Sequence, residues 1–272
     1  MGIGIGTLKA LCREQVARGL SGRVLTLGRM FVYFDESELR AIAAQHGARL
    51  HDVPADVPRL SGREDLAAQG YLSDRFVLQA LGFAQVEALD FSDYQGAEHL
   101  FDLNQAELPA ELAEGFDFVF DGGTLEHVFH LPHALNNLFR LLRPGGRIMH
   151  MAPSSNHVDH GFYMFSPTFF WDFYSANRFR VETVQLLRYL PDHHAPWTVW
   201  DYTPGCLDGE LSFGGLDGGM YGVICVVART PESTGDRVPQ QGQCQRDWQG
   251  GTSAAGGAAY DAGPRPGEPA PG

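Results

Sequence analysis

Short apolar runs alternate with stretches of helical periodicity through most of the chain. The runs fall at 23–27 (RVLTL), 86–90 (VEALD), 97–104 (AEHLFDLN), 116–121 (FDFVFD), 147–153 (RIMHMAP), 179–187 (FRVETVQLL) and 220–229 (MYGVICVVAR). Their length and their acidic or glycine endings predict strands, several of them parallel and sharing one carboxyl edge. Between and before them, helices are predicted over 7–19, 35–46, 73–81 and 166–177. In a further helix Leu131, Leu135, Leu138 and Leu142 recur at intervals of 4, 3 and 4, a stripe that packs one face on a sheet. Pro144 cannot continue that helix and Gly145 can close it, so the next strand is predicted to start at Arg147. The last two strands read as a pair closing one edge, joined by a loop over 190–219.

This alternation predicts one α/β domain over residues 1–229. Two stretches fall outside the pattern. Residues 47–72, with HDVPADVPRLSGRED, are expected to form a lid or an added substrate wall. The last 43 residues, from Thr230, hold 9 Gly and 6 Pro and predict a disordered tail over 230–272.

Composition narrows the partners. A net charge of −13 and a pI near 5.2 argue against a polyanionic nucleic-acid partner and favour a small molecule or a protein. No apolar run approaches a membrane span and the first residues lack a signal-peptide core, so a cytoplasmic protein is expected. Cys12, Cys206, Cys225 and Cys244 are scattered without CxxC spacing, which implies neither a disulfide framework nor a cysteine zinc site.

The candidate chemistry sits at the strand ends, where open parallel sheets bind ligands. Gly28 follows the first strand and lets backbone approach a ligand. Asp90 follows the second and can accept two hydrogen bonds from a ribose diol. Asp102, Leu103 and Asn104 follow the third and could read an adenine, and Asp121, Gly122 and Gly123 follow the fourth. The set describes a nucleoside cradle without a pyrophosphate loop.

With FDFVFDGGTLEHV, the leucine-striped helix, LFRLLRPGGRIMHMAP and the closing strand pair, residues 20–229 resemble a class I S-adenosylmethionine-dependent methyltransferase. The resemblance implies a doubly wound, Rossmann-like seven-stranded sheet, mostly parallel with an antiparallel terminal strand. It also implies S-adenosylmethionine as cofactor, with Gly28 beside its methionine portion, Asp90 on the ribose, Asp102 and Leu103 flanking adenine, and Asp121, Gly122 and Gly123 bordering the methyl donor. The expected activity is methyl transfer to a small-molecule acceptor: a metabolite, a sugar or a lipid-like precursor. LTLGRMFVYF offers one glycine after the first strand where the family has two or three, which motivates the alternative of a binding or scaffold protein on the same fold. A nucleotide-dependent oxidoreductase is disfavoured because GxGxxG is missing.

Eight of the 11 histidines lie between His127 and His194. In SSNHVDHGFYMFSP, after the fifth strand, His157, Asp159, His160 and Tyr163 are the candidates to take a proton from an attacking hydroxyl or amine, with histidine the usual base. Glu126 and His127 read as a helix opening, where a glutamate favours the dipole. His157 and His160 form an HxxH pair, with His150 or His193 and His194 as third groups, but chance accounts for such spacing and no metal site is expected. Phe162 to Tyr174 hold eight aromatics in thirteen residues, with Phe162, Tyr163 and Trp171 the candidates for an apolar pocket.

Overall fold

A computed structural model describes residues 2–207, 209, 211, 214–242 and 244. Its centre is a sheet of β2 (Arg23–Leu27), β4 (Gln85–Asp90), β5 (His99–Leu100), β6 (Phe116–Asp121), β7 (Leu142–Pro153), β8 (Arg180–Tyr189), β9 (Thr198–Asp201) and β10 (Met220–Ala228). The spatial order is β5-β4-β2-β6-β7-β10-β8-β9, parallel as far as β7 and antiparallel beyond it. All seven expected strands are present. The eighth, β9, lies inside the connection expected to be loop and pairs antiparallel with β8, Trp200 opposite Leu186. A separate two-stranded sheet joins β1 (Gly2–Ile3) to β3 (Phe31–Val32), and nothing in so short a pair of runs announces it.

Helices cover both faces. On one side α1 (Ile5–Arg18), α2 (Glu36–His46) and α4 (Asp74–Ala80) bury Leu8, Leu11, Leu39, Val77 and Leu78 against Val24, Phe118 and Phe120. On the other, α5 (Leu131–Leu141) and α6 (Pro167–Ala176) bury Leu135, Leu138, Phe170 and Tyr174 against Leu25 and Val119. Alternate residues of one strand thus feed two cores, the period-2 rule of a strand buried on both sides. A short helix, α3 (Glu64–Ala67), interrupts the 47–72 segment.

Three local readings change. α5 ends at Leu141, and Leu142 is already extended and paired with Phe116, so Pro144-Gly145-Gly146 forms a bulge inside β7 before Arg147 pairs with Phe118. Gly145 holds φ +82, and its N–H donates to the Arg229 carbonyl across the sheet edge. Second, the strand expected over 97–104 shortens to His99–Leu100, joined to β4 by residues 91–98 with no helix. His99 pairs with Leu89 at the very end of β4, so the chain steps back over only two residues and needs no long crossover. Third, the tail does not start at 230. The Thr234 N–H donates to the Asn177 carbonyl, the Asn177 side chain donates to the Arg237 carbonyl, and Gly235 to Pro239 line a shallow apolar hollow with Leu131, Leu135, Phe169 and Phe173. The rest of the expected tail, residue 243 and those from 245, lies outside the described residues.

The order of strands reverses between β2 and β6. The chain runs outward through β4 and β5, then returns to β6 on the far side of β2, and the carboxyl ends of β2 and β6 flank the resulting crevice.

Candidate active site

At that crevice lie two clefts divided by the turn after β6. The first, about 510 Å³, is lined by Gly28, Asp90, Phe91, Asp102, Leu103, Asn104, Thr124, His127 and Val128 among others. That volume is within the roughly 300–1,000 Å³ of small-molecule sites. Gly28 stands at φ +78, a conformation only glycine adopts without strain, and its N–H donates to the Leu89 carbonyl. The third-strand loop is held by Asp102, whose Oδ1 accepts from the Asn104 backbone and side chain at 2.9 and 2.8 Å. Helix α5 fastens the same loop from below: the His130 N–H donates to Asn104 Oδ1, His133 Nδ1 donates to the Asn104 carbonyl at 2.8 Å, and Asn137 donates to the Gln105 carbonyl. One of the clustered histidines, His133, is thereby explained as an anchor, whereas His130 contributes only its backbone.

The second cleft, about 390 Å³, opens on the other side of the turn. Its polar wall includes Glu126, His157, His160 and Tyr189, with Thr7, Asp192 and His193 farther round, and Met151, Leu187, Trp197 and Met220 supply apolar surface. Trp197 lies flat on α1, where a Cβ at Gly6 would come within 2.0 Å of the indole, so only glycine leaves room for it. His193 stacks on Tyr33 with ring centroids 4.0 Å apart and closes the rim. Among the described residues, no lysine or arginine lines this cleft.

The dividing turn is a short 3₁₀ segment, Leu125–His127, and not the opening of α5, which starts four residues later. Glu126 faces the second cleft and His127 the first. Glu126 is 1% exposed, and burial, reinforced by the Asp121 carboxylate, pushes its carboxyl up to about 8. Its carbonyl accepts from the Phe162 and Tyr163 N–H groups, which ties the loop after β7 to the turn. A Cβ at Gly161 would stand 2.8 Å from that carbonyl, so the glycine permits the approach. Burial and the neighbouring His160 hold His127 and His157 below the ordinary histidine range. His157 Nε2 lies 3.1 Å from the Tyr221 carbonyl, which can only accept, so Nε2 carries the hydrogen and Nδ1 the lone pair. The Tyr189 hydroxyl, 2.9 Å from the same nitrogen, is pushed up to about 12 by burial and by Glu126.

The expected site residues therefore separate into groups. Gly28, Asp90, Asp102 and Leu103 gather in the first cleft; Gly122, Gly123, His157 and His160 gather in the second. Asp121 reaches neither. It is fully buried, and its carboxylate accepts from the Thr124 N–H at 2.8 Å and from His150 Nδ1 at 2.8 Å, while His150 Nε2 meets the buried Tyr174 hydroxyl at 2.6 Å. It fixes the turn from inside the sheet. Tyr163 is also withdrawn: Asn156 and Asp159 at positive φ swing the loop round, and its hydroxyl donates to the Phe129 carbonyl. Residues 47–72 line neither cleft. Backbone bonds from His51 to Ala80, Ser61 to Tyr71 and Ser73 to Arg59 keep that segment against the body.

Residues 67–198, which span β4 to β8, match the family model of the methyltransferase domain. The chain carries a methyltransferase domain across these residues. S-adenosylmethionine is the cofactor of this family. No curated protein matches the sequence. Among solved structures, a Thermotoga maritima S-adenosylmethionine-dependent methyltransferase is 15% identical, covers 82% of this chain and 89% of its own, and gives a TM-score of 0.36. A methyltransferase from Archaeoglobus fulgidus is 12% identical over 83% and 94% of the two chains, with a TM-score of 0.41. The 1,6-didemethyltoxoflavin-N1-methyltransferase of Burkholderia thailandensis, solved with its substrate and S-adenosylhomocysteine, is 14% identical over 83% and 78%, with a TM-score of 0.33. At such identities none of these methyltransferases assigns a substrate to this chain.

Proposed function

We propose that this methyltransferase domain binds S-adenosylmethionine in the first cleft and transfers its methyl group to a small acceptor held in the second. The observation that carries this reading is that two clefts of small-molecule size meet across one turn, Gly122 to His127. When bound, the cofactor supplies an electrophilic methyl group on a sulfonium. Asp90 would accept hydrogen bonds from the ribose hydroxyls, Leu103, Phe91 and Val128 would wall the adenine, and Asp102 holds the Asn104 loop that frames it. Gly28 leaves the backbone close to the methionine portion, and Gly122 and Gly123 would border the methyl donor from the second cleft.

In the second cleft, Met151, Leu187 and Trp197 fit an apolar acceptor body, and Glu126, His157 and His160 orient its nucleophilic atom. With no lysine or arginine among the described residues of its wall, the cleft suits a neutral or cationic acceptor and disfavours a phosphorylated one. Acceleration in such a site comes chiefly from alignment and exclusion of water.

A second reading, a binding protein that kept the fold, is favoured by the loop after β2. Arg29 is bridged to Asp74 at 3.6 Å and to Glu98, and Met30 packs its sulfur against Gly122, so this loop is closed by side chains where an open glycine run would stand. Calorimetric titration of the full chain with S-adenosylmethionine and S-adenosylhomocysteine decides between them. Binding is expected, with affinity reduced about 10–100-fold in Asp90→Ala, the loss of hydrogen bonds to one charged group. A well-folded chain that binds neither compound overturns the enzyme reading.

A further inference from the structure

We propose that Glu126, His127 and His160 form a site for a divalent first-row transition-metal ion at the junction of the two clefts. The three donor atoms lie within 4.8 Å of one another. Glu126 Oε1 stands 3.4 Å from His160 Nε2 and 3.8 Å from His127 Nε2. Ligands about 2.0–2.2 Å from an ion, at tetrahedral angles, are separated by about 3.4 Å. The two sides that meet at Glu126 are thus near the size that an ion requires, and the third, between the imidazoles, lies within 4.8 Å.

An independent observation points the same way. Glu126 is 1% exposed, and its Oε2 is buried without a hydrogen-bond partner. A buried carboxylate oxygen left unsatisfied is costly, and the usual remedies are a proton, a backbone N–H, an arginine or lysine, or a cation, which displaces the proton when it binds. Among the described residues, the second cleft provides no arginine or lysine. The backbone is arranged to bring imidazoles instead: the His160 N–H closes a turn on the His157 carbonyl, Asp159 takes φ +66, and Gly161 admits the loop against Glu126.

The chemistry of the donor set selects the ion. Two imidazoles and one carboxylate suit zinc, iron, cobalt or manganese, whereas magnesium and calcium favour oxygen ligands. Both imidazoles remain close to half exposed, which leaves coordination positions open toward the clefts. An acceptor oxygen or nitrogen would complete the shell, and that part of the proposal rests on the two-cleft reading above; ion binding does not.

Cobalt(II) chloride alone, titrated into the full chain, is the test. One Co²⁺ per chain is expected, with visible d–d absorption, and zinc(II) should displace it in calorimetry. Glu126→Gln and His160→Ala should each weaken binding by more than about tenfold, the least that even an outer partner of a metal ligand costs. His46→Gln, on distant α2, should bind as the parent does. His160 is at the surface of its loop, so that variant keeps the test open if Glu126→Gln does not fold. Failure of Co²⁺ to bind stoichiometrically, or binding unchanged in His160→Ala, overturns the proposal. S-adenosylmethionine affinity measured on the metal-free chain reports separately on the methyltransferase reading.

Discussion

The buried triad of Asp121, His150 and Tyr174 acts one layer below the clefts. A carboxylate, an imidazole and a phenol share hydrogen bonds of 2.8 and 2.6 Å with no access to water. Burial pushes the Tyr174 phenol well above its ordinary range, so it stays protonated. The Asp121 carboxylate also accepts from Thr124, and Thr124 Oγ1 donates to the Leu27 carbonyl at 2.7 Å, so the triad sets where the dividing turn sits between β2 and β6. Tyr174→Phe removes one partner and leaves the imidazole nitrogen buried without it. The expected cost is about 1–3 kcal/mol, seen as a fall in Tm of several degrees. A Tm equal to the parent's would show that the phenol contributes nothing to the anchor.

At the scale of elements, the segment after β10 is part of the fold. Residues 230–239 satisfy Asn177 at the end of α6 and cover Leu131, Leu135, Phe169 and Phe173. Truncation after Arg229 should therefore lower Tm by several degrees relative to truncation after Cys244, because apolar area on two helices is uncovered and a buried asparagine loses partners. Equal melting temperatures would return this segment to the tail. What was legible in the sequence follows the strength of its periodicity. Five of the seven main strands and five helices lie within a few residues of their expected bounds, since each carries its own apolar pattern, whereas β5 keeps only His99–Leu100 of the expected 97–104 and β7 starts at Leu142, ahead of the expected Arg147. β9, with only Thr198–Asp201, and the two-residue β1 and β3 depend on partners distant in sequence and carry no such signal. Pro144-Gly145-Gly146 was legible as a break, but whether a break ends a helix or bulges a strand is settled by the pairing of Leu142 with Phe116.

For the whole molecule, the ends of β2, β4 and β5 line one cleft, because parallel strands share one carboxyl edge whatever the loops contain, while the end of β6 divides it from the other. The second cleft was far less legible. It draws on Gly4 and Thr7 near the N-terminus, the turn at Glu126, the loop at His157 and His160, and the segment from Tyr189 to Trp197. No spacing rule connects positions so far apart. Glu126 in particular has a sequence context that fits a helix start, and only its burial beside His160 separates the two readings.

The flat seating of Trp197 on Gly6 gives the protein its own optical reporter. The chain has four tryptophans, and this one forms part of the wall where an acceptor would lie. An acceptor that packs on the indole changes its polarity and quenching, so emission should shift on binding, and the shift should vanish in Trp197→Phe. In Gly6→Ala the new methyl group would displace the ring, altering the starting spectrum before any ligand is added. A library of unlabelled compounds could thus be screened for acceptors by light alone, whichever of their atoms takes the methyl group.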